Sequence, residues 1–220
     1  MSRNPFTPSF EELPKTVPIF PLSGAIVLPG AQLTLNIFEP RYLNMVFDAS
    51  GADRMIGMIQ PVHSGEAQDN DNIHKTGCAG RITTFRETDD GRLLIVLTGV
   101  CRFDVIKEIA TTRGYRRVLA DWGPYADDLS EGDSPSLESE HLIDTLTPYF
   151  DAKNVQADWE SLKKMSSASL VNLLATNLPF EPEEKQALIE AKTIHDRTKV
   201  LIVLSQMSLS SSNEPGDTRH

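Results

Sequence analysis

The segment Gln32-Leu33-Thr34-Leu35-Asn36-Ile37 alternates polar and apolar residues without a break. This period of two residues predicts a strand with one buried face. Further along, Leu93-Leu94-Ile95-Val96-Leu97 is a continuous apolar run of strand length, and it follows Asp89-Asp90-Gly91, which is typical of a hairpin turn. Both segments therefore predict a β-rich region.

More short strands are predicted around these two. They lie at 55–59, 78–85, 102–109 and 116–122. Pro-Gly and Asp-Gly turns separate the strands, and this pattern is typical of a small closed or nearly closed barrel. One helix interrupts the strands, with Pro40 in its first turn. Its predicted apolar stripe consists of Tyr42, Leu43, Val46 and Phe47.

After an acidic connector at 123–135, the spacing of apolar residues becomes helical. Helices are predicted at 137–150 and 155–164, and Ser166 or Ser167 would cap the next one. A last helix is predicted after Pro182. Its apolar face would consist of Ala187, Ala191, Ile194, Leu201 and Leu204.

The sequence thus predicts an α+β protein in which a β-barrel precedes a helical bundle. The predicted segments are an N-terminal extension (1–15), a β-barrel subdomain (16–122), an acidic linker (123–135), a helical subdomain (136–207) and a Ser-rich disordered tail (208–220).

The net charge of −10 bears on the choice of partner. Binding along a nucleic-acid backbone needs clustered Lys and Arg, so no nucleic acid is expected as a partner. Basic residues do concentrate between 102 and 117. They would form either a small anion patch or a solvated strand face, and the solvated face is the expectation.

Neither the apolar runs nor the cysteines indicate a membrane or secreted protein. No apolar run approaches the roughly 20 residues of a membrane span, and the N-terminus does not have the composition of a signal peptide. Cys78 and Cys101 lie in predicted strands, where a thiol behaves as a small core hydrophobe. We expect a cytoplasmic protein without membrane association.

An ordered series of motifs resembles the N-terminal, substrate-recognition domain of Lon-type proteases, the peptidase S16 family. The series begins with Val17-Pro18-Ile19-Phe20-Pro21-Leu22 and Ile26-Val27-Leu28-Pro29-Gly30. It continues with Phe38-Glu39-Pro40-Arg41-Tyr42, Gly77-Cys78-Ala79-Gly80-Arg81-Ile82 and Leu97-Thr98-Gly99-Val100-Cys101-Arg102-Phe103. The resemblance is close over 16–122 and looser beyond.

This resemblance implies a fold and a function. The fold would be a PUA-like pseudo-barrel of about six strands with one helix, followed by a helical bundle. The function would be capture of unfolded or degron-bearing polypeptides, with delivery to a separate protease or chaperone as a further possibility. The sequence leaves the oligomeric state open.

No catalytic set is found in the sequence. The Gly-x-x-x-x-Gly-Lys-Ser/Thr pattern of a phosphate-binding loop is absent. Ser161 and Lys164 have the spacing of a Ser–Lys pair, but they lie in a charged helical segment without the companion motifs. We therefore expect a non-enzymatic module with no cofactor and no metal site, in which any relation to peptidases comes from domain homology.

Four residues are candidates for contacting a polypeptide: Phe38, Arg41, Tyr42 and Trp159. Each also has a structural interpretation. Arg41 would pair with Glu39 instead of a client carboxylate. Phe38 and Tyr42 would belong to the core of the strand-to-helix corner, and Trp159 would bury its ring under a neighbouring helix. The loop 62–75 and the connector 123–135 are further places where recognition would reside.

Two other functions compete with polypeptide binding. A PUA-like barrel can also host a ligand, so a small-ligand sensor or adaptor is the alternative. RNA binding is the third possibility, and the acidic balance of the chain opposes it.

Overall fold

Six strands and one helix form the N-terminal part of the computed structural model, which describes residues 7–62, 72–129 and 137–212. The strands are β1 (Thr16–Pro21), β2 (Gln32–Ile37), β3 (Met55–Ile59), β4 (Thr76–Glu87), β5 (Leu93–Ile109) and β6 (Arg116–Asp121). Helix α1 spans Pro40–Ser50, between β2 and β3. The predicted barrel strands are confirmed, except that the two predicted at 93–97 and 102–109 form one continuous strand, β5.

The strands form one sheet in the order β2-β5-β4-β3-β1-β6, and β6 pairs again with β5. This last pairing closes a barrel of β5, β4, β3, β1 and β6. The first half of β5 pairs with β2, and its second half pairs with β6. β2 and β6 thus pair with successive halves of the same edge of β5. Of these two strands, only β6 takes part in the closed ring, and β2 lies outside it, beside the first half of β5.

Gly99 lies at the point of β5 at which the prediction divided the strand. A Cβ atom at this position would lie 2.0 Å from the carbonyl oxygen of Leu28. Only glycine lets the two backbones approach so closely. The Gly99 amide donates to the Ala31 oxygen, and its oxygen accepts from Gly30, both at 2.9 Å. Gly99 thus fixes the start of β2 against the middle of β5.

The barrel core is centred on Phe103. Its ring meets the Trp122 ring edge-on at a centroid distance of 5.5 Å, and both side chains are buried. The Trp122 indole nitrogen donates to the Pro14 oxygen at 2.9 Å, as a buried indole N–H requires. Trp122 is therefore a core residue.

The C-terminal region contains five helices within the described residues. They are α2 (Leu137–Ala152), α3 (Trp159–Leu162), α4 (Ser167–Asn177), α5 (Pro182–Glu190) and α6 (Ile194–Ser212). The α+β class, with a barrel followed by helices, is confirmed. The Ser166 hydroxyl accepts from the Ser169 amide at 3.2 Å, so Ser166 is the predicted cap of α4.

Two helix predictions are wrong, and side-chain caps explain both. The predicted helix 155–164 shrinks to α3 because Asp158 accepts from the Ser161 amide and starts the helix there. The predicted last helix divides into α5 and α6, since Thr193 accepts from the Asp196 amide at 3.0 Å and starts a new helix. Helix α6 also continues to Ser212, so residues 208–212 of the predicted disordered tail are helical.

The chain divides into two compact units. The first, here the strand unit, comprises Met1–Glu131 and Asn172–Glu190; the second, the helical unit, comprises Gly132–Val171 and Ala191–His220. This division differs from a simple boundary at the acidic connector. Residues 123–129 of that connector form 3-10 turns within the strand unit, and α5 belongs to the same unit.

Arg102 accounts for much of this difference. Its guanidinium forms a two-pronged ion pair with Asp128, with N–O distances of 2.9 and 2.8 Å, and donates to the Ile189 oxygen at 3.1 Å. Arg102 is only 3% exposed. The expectation of a solvated basic face is therefore wrong at Arg102, where a buried cation joins β5 to the connector and α5 inside the strand unit.

Gln60 makes a second polar junction in the strand unit. Its side-chain amide donates to the Pro182 oxygen at 2.9 Å and to the Gln186 side chain at 3.1 Å. Its side-chain oxygen accepts from the Gly24 amide at 2.8 Å. Buried amide groups need such partners, so the end of β3 and the start of α5 are held together by hydrogen bonds.

Candidate functional site

The candidate site is the corner at which β2 ends and α1 begins, defined here as residues 38–42. Glu39 has an extended backbone and precedes Pro40, which occupies the first turn of α1. The fixed φ of proline suits this position, and the Glu39 oxygen accepts from the Tyr42 amide at 3.0 Å. The local sequence therefore sets a sharp corner.

Phe38 is the exposed residue of this corner. Its side chain is 61% exposed, an unusual position for a large aromatic ring. The Arg92 guanidinium lies 5.7 Å from the centre of the Phe38 ring and pairs with Asp90 at 2.9 Å. Phe38 thus presents an apolar surface beside a cation at the start of β5.

Arg41 points back into the corner. Its Nε atom lies 3.0 Å from the Glu39 carboxylate, and its guanidinium lies 4.7 Å from the centre of the Tyr42 ring. The structure therefore supplies the ion pair that the sequence offered as the structural interpretation of Arg41.

Tyr42 is a core residue, only 5% exposed. Its ring centre lies 4.2 Å from that of Phe20. Burial raises the pKa of the Tyr42 hydroxyl, and the Arg41 charge offsets part of this rise. Of the two interpretations left open for Tyr42, the structure shows the core position.

Two further aromatic rings are exposed near the same end of the sheet. Phe47 on α1 is 49% exposed and Phe85 near the end of β4 is 41% exposed, with 6.2 Å between their ring centres. Sequence reasoning missed this pair. It placed Phe47 in the apolar stripe of α1, whereas the helix buries Tyr42, Met45, Val46 and Ala49.

Polar contacts fix α1 to the hairpin between β5 and β6. Asp48 accepts from Arg113 at 2.6 Å and from the Tyr115 hydroxyl at 2.8 Å. Arg113 also donates to Asn44 at 2.9 Å. These bonds hold the helix that carries Phe47, so the exposed rings lie on a fixed framework.

Trp159 belongs to the helical unit and to a different environment. It is the first residue of α3, and its ring is half-buried, with its centre 4.9 Å from that of Phe150. The structure therefore brings Phe38, Arg41 and Tyr42 together but does not group Trp159 with them.

The residues considered for nucleophilic chemistry have structural roles. The Ser161 hydroxyl donates to Asp158 at 2.6 Å within the start of α3, and these hydrogen bonds lower the pKa of the Asp158 carboxyl. Cys78 and Cys101 are both buried, and neither forms a disulfide. Burial raises the pKa of Cys101 to about 12, with a further contribution from Asp128, so the reactive thiolate is suppressed.

Parts of the two recognition segments suggested by the sequence lie outside the described residues. Residues 63–71 of the loop 62–75 and residues 130–135 of the connector are not among them. Within the described residues, no helix combines the length and the apolar character needed to cross a membrane.

These features define a class of protein: a small closed barrel with an exposed aromatic corner and additional helices. The model of one family, described as the ATP-dependent protease La (LON) substrate-binding domain, matches residues 16–206. The chain belongs to this family. The match is to a substrate-binding domain and not to a catalytic protease domain.

Individual relatives agree with this assignment. The chain is 24% identical over 207 residues to the Lon protease of Flavobacterium johnsoniae, covering 85% of this chain and 23% of that protein. It is 26% identical over 215 residues to the Lon protease of Parabacteroides distasonis, covering 91% and 25%. The chain thus spans about a quarter of the length of these relatives.

Solved structures show the same fold. The Lon N-terminal domain protein from Xanthomonas campestris superposes with a TM-score of 0.62 at 24% identity, covering 86% of this chain and 97% of that one. The N-terminal domain of Mycobacterium avium complex Lon protease gives a TM-score of 0.63 at 15% identity, covering 87% and 98%.

Proposed function

We propose that this chain is a non-catalytic recognition module that binds unfolded or degron-bearing polypeptides at the corner between β2 and α1. Membership in a family of substrate-binding domains supports the binding role. We choose this surface because Phe38 is 61% exposed and lies beside the cation of Arg92.

Unfolded chains differ from folded ones in that they expose apolar side chains. Phe38, together with the Phe47–Phe85 pair, offers apolar area to such side chains at one end of the sheet. Burying a phenylalanine side chain is worth about 2 kcal/mol. Contacts of this size give weak, sequence-tolerant binding, as a module with varied clients requires.

The other candidates have supporting parts in this proposal. Arg41 and Tyr42 hold the corner through the Glu39 ion pair and the Phe20 ring contact, so they position Phe38 and do not touch the client. Trp159 is a candidate second contact through the exposed part of its ring in the helical unit.

The test is binding of a permanently unfolded protein, such as reduced and carboxymethylated α-lactalbumin, measured by fluorescence anisotropy. We expect Phe38→Ala to weaken binding about tenfold, which corresponds to about 1.4 kcal/mol. Ile106→Ala is the matched control, because Ile106 is a 57% exposed apolar residue of the same unit, far along β5 from the corner. Equal affinities of the wild type and both variants for the unfolded protein would exclude the corner as the binding surface.

We propose no proteolytic activity for the residues of this chain. We propose that bound clients pass to a protease or chaperone, because the matched family is the substrate-binding domain of an ATP-dependent protease. Casein should remain uncut when incubated with the protein. Cleavage that Ser161→Ala abolishes would contradict this proposal.

We also propose that the module works in the cytoplasm. Neither cysteine forms a disulfide, as is usual for a protein in a reducing compartment. Recovery of the native protein in the soluble cytosolic fraction is the expected result, and recovery in a membrane or secreted fraction would contradict it.

A further inference from the structure

Strand β2 has an open edge. β5 pairs with three strands and β1, β3, β4 and β6 with two each, whereas β2 pairs with β5 alone. No main-chain partner other than β5 is found for Gln32–Ile37 among the residues that the structure describes. An open edge presents a row of unpaired N–H and C=O groups.

The register identifies which of these groups face outward. The Gly99 amide donates to Ala31, and hydrogen-bonded and non-hydrogen-bonded pairs alternate along an antiparallel ladder. Residues 33, 35 and 37 therefore bond to β5, and Gln32, Thr34 and Asn36 direct their amide and carbonyl groups away from it. All three side chains are exposed, so the edge is accessible.

This edge lacks the devices by which proteins usually block strand addition. Gln32–Ile37 contains no charged residue and no proline, and its pairing with β5 proceeds without a register shift. Charges, prolines and bulges are the common means of protecting an edge. Their absence leaves a straight, neutral edge that ends at the exposed ring of Phe38.

We infer that the outer edge of β2 binds its polypeptide as an added β-strand. Three amides and three carbonyls repeat here about every 6.8 Å, and an extended main chain has the same repeat. The occupant is thus an extended, proline-free client segment of about six residues, with Phe38 contacting a side chain at one end. This inference rests on the proposed function and names its substrate class.

Recognition through the main chain explains how one site accepts many sequences. Every residue except proline supplies the same N–H and C=O groups. A folded protein offers few of them, because its own strands and helices use most of them. Strand addition therefore distinguishes unfolded from folded chains without reading particular side chains.

The first test uses a fluorescein-labelled peptide of alternating valine and threonine, together with the same peptide N-methylated at alternate residues. Thr34→Pro removes one outward amide and leaves the bonds to β5, while Thr34→Val keeps that amide and serves as the matched control. We expect Thr34→Pro to weaken peptide binding about tenfold and Thr34→Val to leave it unchanged. N-methylation of the residues that face β2 should abolish binding.

A second measurement does not depend on how the proline variant folds. Amide hydrogen exchange of the wild-type protein is followed by NMR with and without the peptide. Bound peptide should slow exchange at Gln32, Thr34 and Asn36. Unchanged exchange at these amides in a saturated complex would overturn the inference.

The outcomes separate this inference from the proposed function. In one outcome the peptide binds and Phe38→Ala weakens this binding, but neither Thr34→Pro nor N-methylation has an effect. The inference of strand addition is then wrong, and the proposed binding at the corner is retained. If the protein binds neither the peptide nor the unfolded protein, both fail. If the three amides become protected with rising protein concentration and no peptide, a second copy of the chain occupies the edge and the inference is overturned.

Discussion

Arg102 shows at the residue scale how a charge is accommodated inside the barrel unit. It has a full set of partners in Asp128, the Ile189 carbonyl and the Tyr125 ring. The sequence predicted a solvated arginine because Asp128 lies 26 residues away, and no local pattern connects the two positions. A buried partner so distant in the chain is visible only after folding.

Loss of the Asp128 charge should destabilise the protein. Asp128→Asn leaves the Arg102 cation buried without its counter-charge, and breaking such a pair costs about 3 kcal/mol. The free energy of unfolding from urea titration at pH 7 measures this. Asp127→Asn is the matched control, because Asp127 is the exposed neighbouring acid and its loss should cost little. Equal stability of the two variants would contradict the buried ion pair.

Lys185 gives a pH dependence at the same scale. It is 4% exposed, and its ammonium donates to the carbonyls of Ala175 at 3.1 Å and of Thr176. Burial lowers the pKa of Lys185 to about 8 from its ordinary value of 10.5. Between these two pH values the unfolded chain holds more protons than the folded one, so the free energy of unfolding rises with pH.

Comparison with Lys185→Met isolates this effect from the other titrating groups. The stability of the wild type minus that of the variant should be constant below pH 8 and rise by about 3 kcal/mol between pH 8 and 10.5. Urea titrations across this range provide the values. A difference that stays constant over the whole range would show that Lys185 titrates normally in the folded protein.

At the scale of elements, periodicity predicted the strands better than the helices. Strand β2 and the first half of β5 follow directly from residue alternation and from an apolar run. The start of α3 and the break between α5 and α6 depend instead on single capping side chains, Asp158 and Thr193. Such caps compete with a continuing apolar pattern, and the pattern alone does not show which of the two prevails.

The candidate site was predictable only in part. Phe38 and the corner that carries it could be identified from the sequence, because proline after an alternating strand marks a turn into a helix. The Phe47–Phe85 pair could not, since Phe85 comes from a strand distant in the chain from α1. The open edge of β2 follows from the strand order, which no local pattern contains.

Gly99 determines how β5 and β2 meet, and its replacement should disturb both strands. Gly99→Ala puts a methyl group where the Leu28 oxygen lies 2.0 Å away, so the backbones must separate at a cost of about 3 kcal/mol. Gly51→Ala is the control, because its nearest neighbours are 3.7 Å away and its φ of −83° suits alanine. Similar urea midpoints for the two variants would contradict the close approach.

At the scale of the whole molecule, the closed barrel explains why one strand of the sheet keeps an open edge. Closure through β5 and β6 satisfies the edges of five strands and excludes β2. The excluded strand leads directly into Phe38 and α1. The fold therefore places main-chain groups and an exposed aromatic ring next to each other, a combination suited to chains that have lost their own structure.

Recognition of unfolded polypeptides is tested by comparing two forms of one client. Binding of the wild-type protein to α-lactalbumin is measured by anisotropy, once with the native disulfide-bonded protein and once with its reduced, carboxymethylated form. We predict saturable binding of the unfolded form, with a Kd on the order of micromolar, and no binding of the native form. No binding of the unfolded form, or equal binding of both forms, would contradict the claim that this chain recognises unfolded polypeptides.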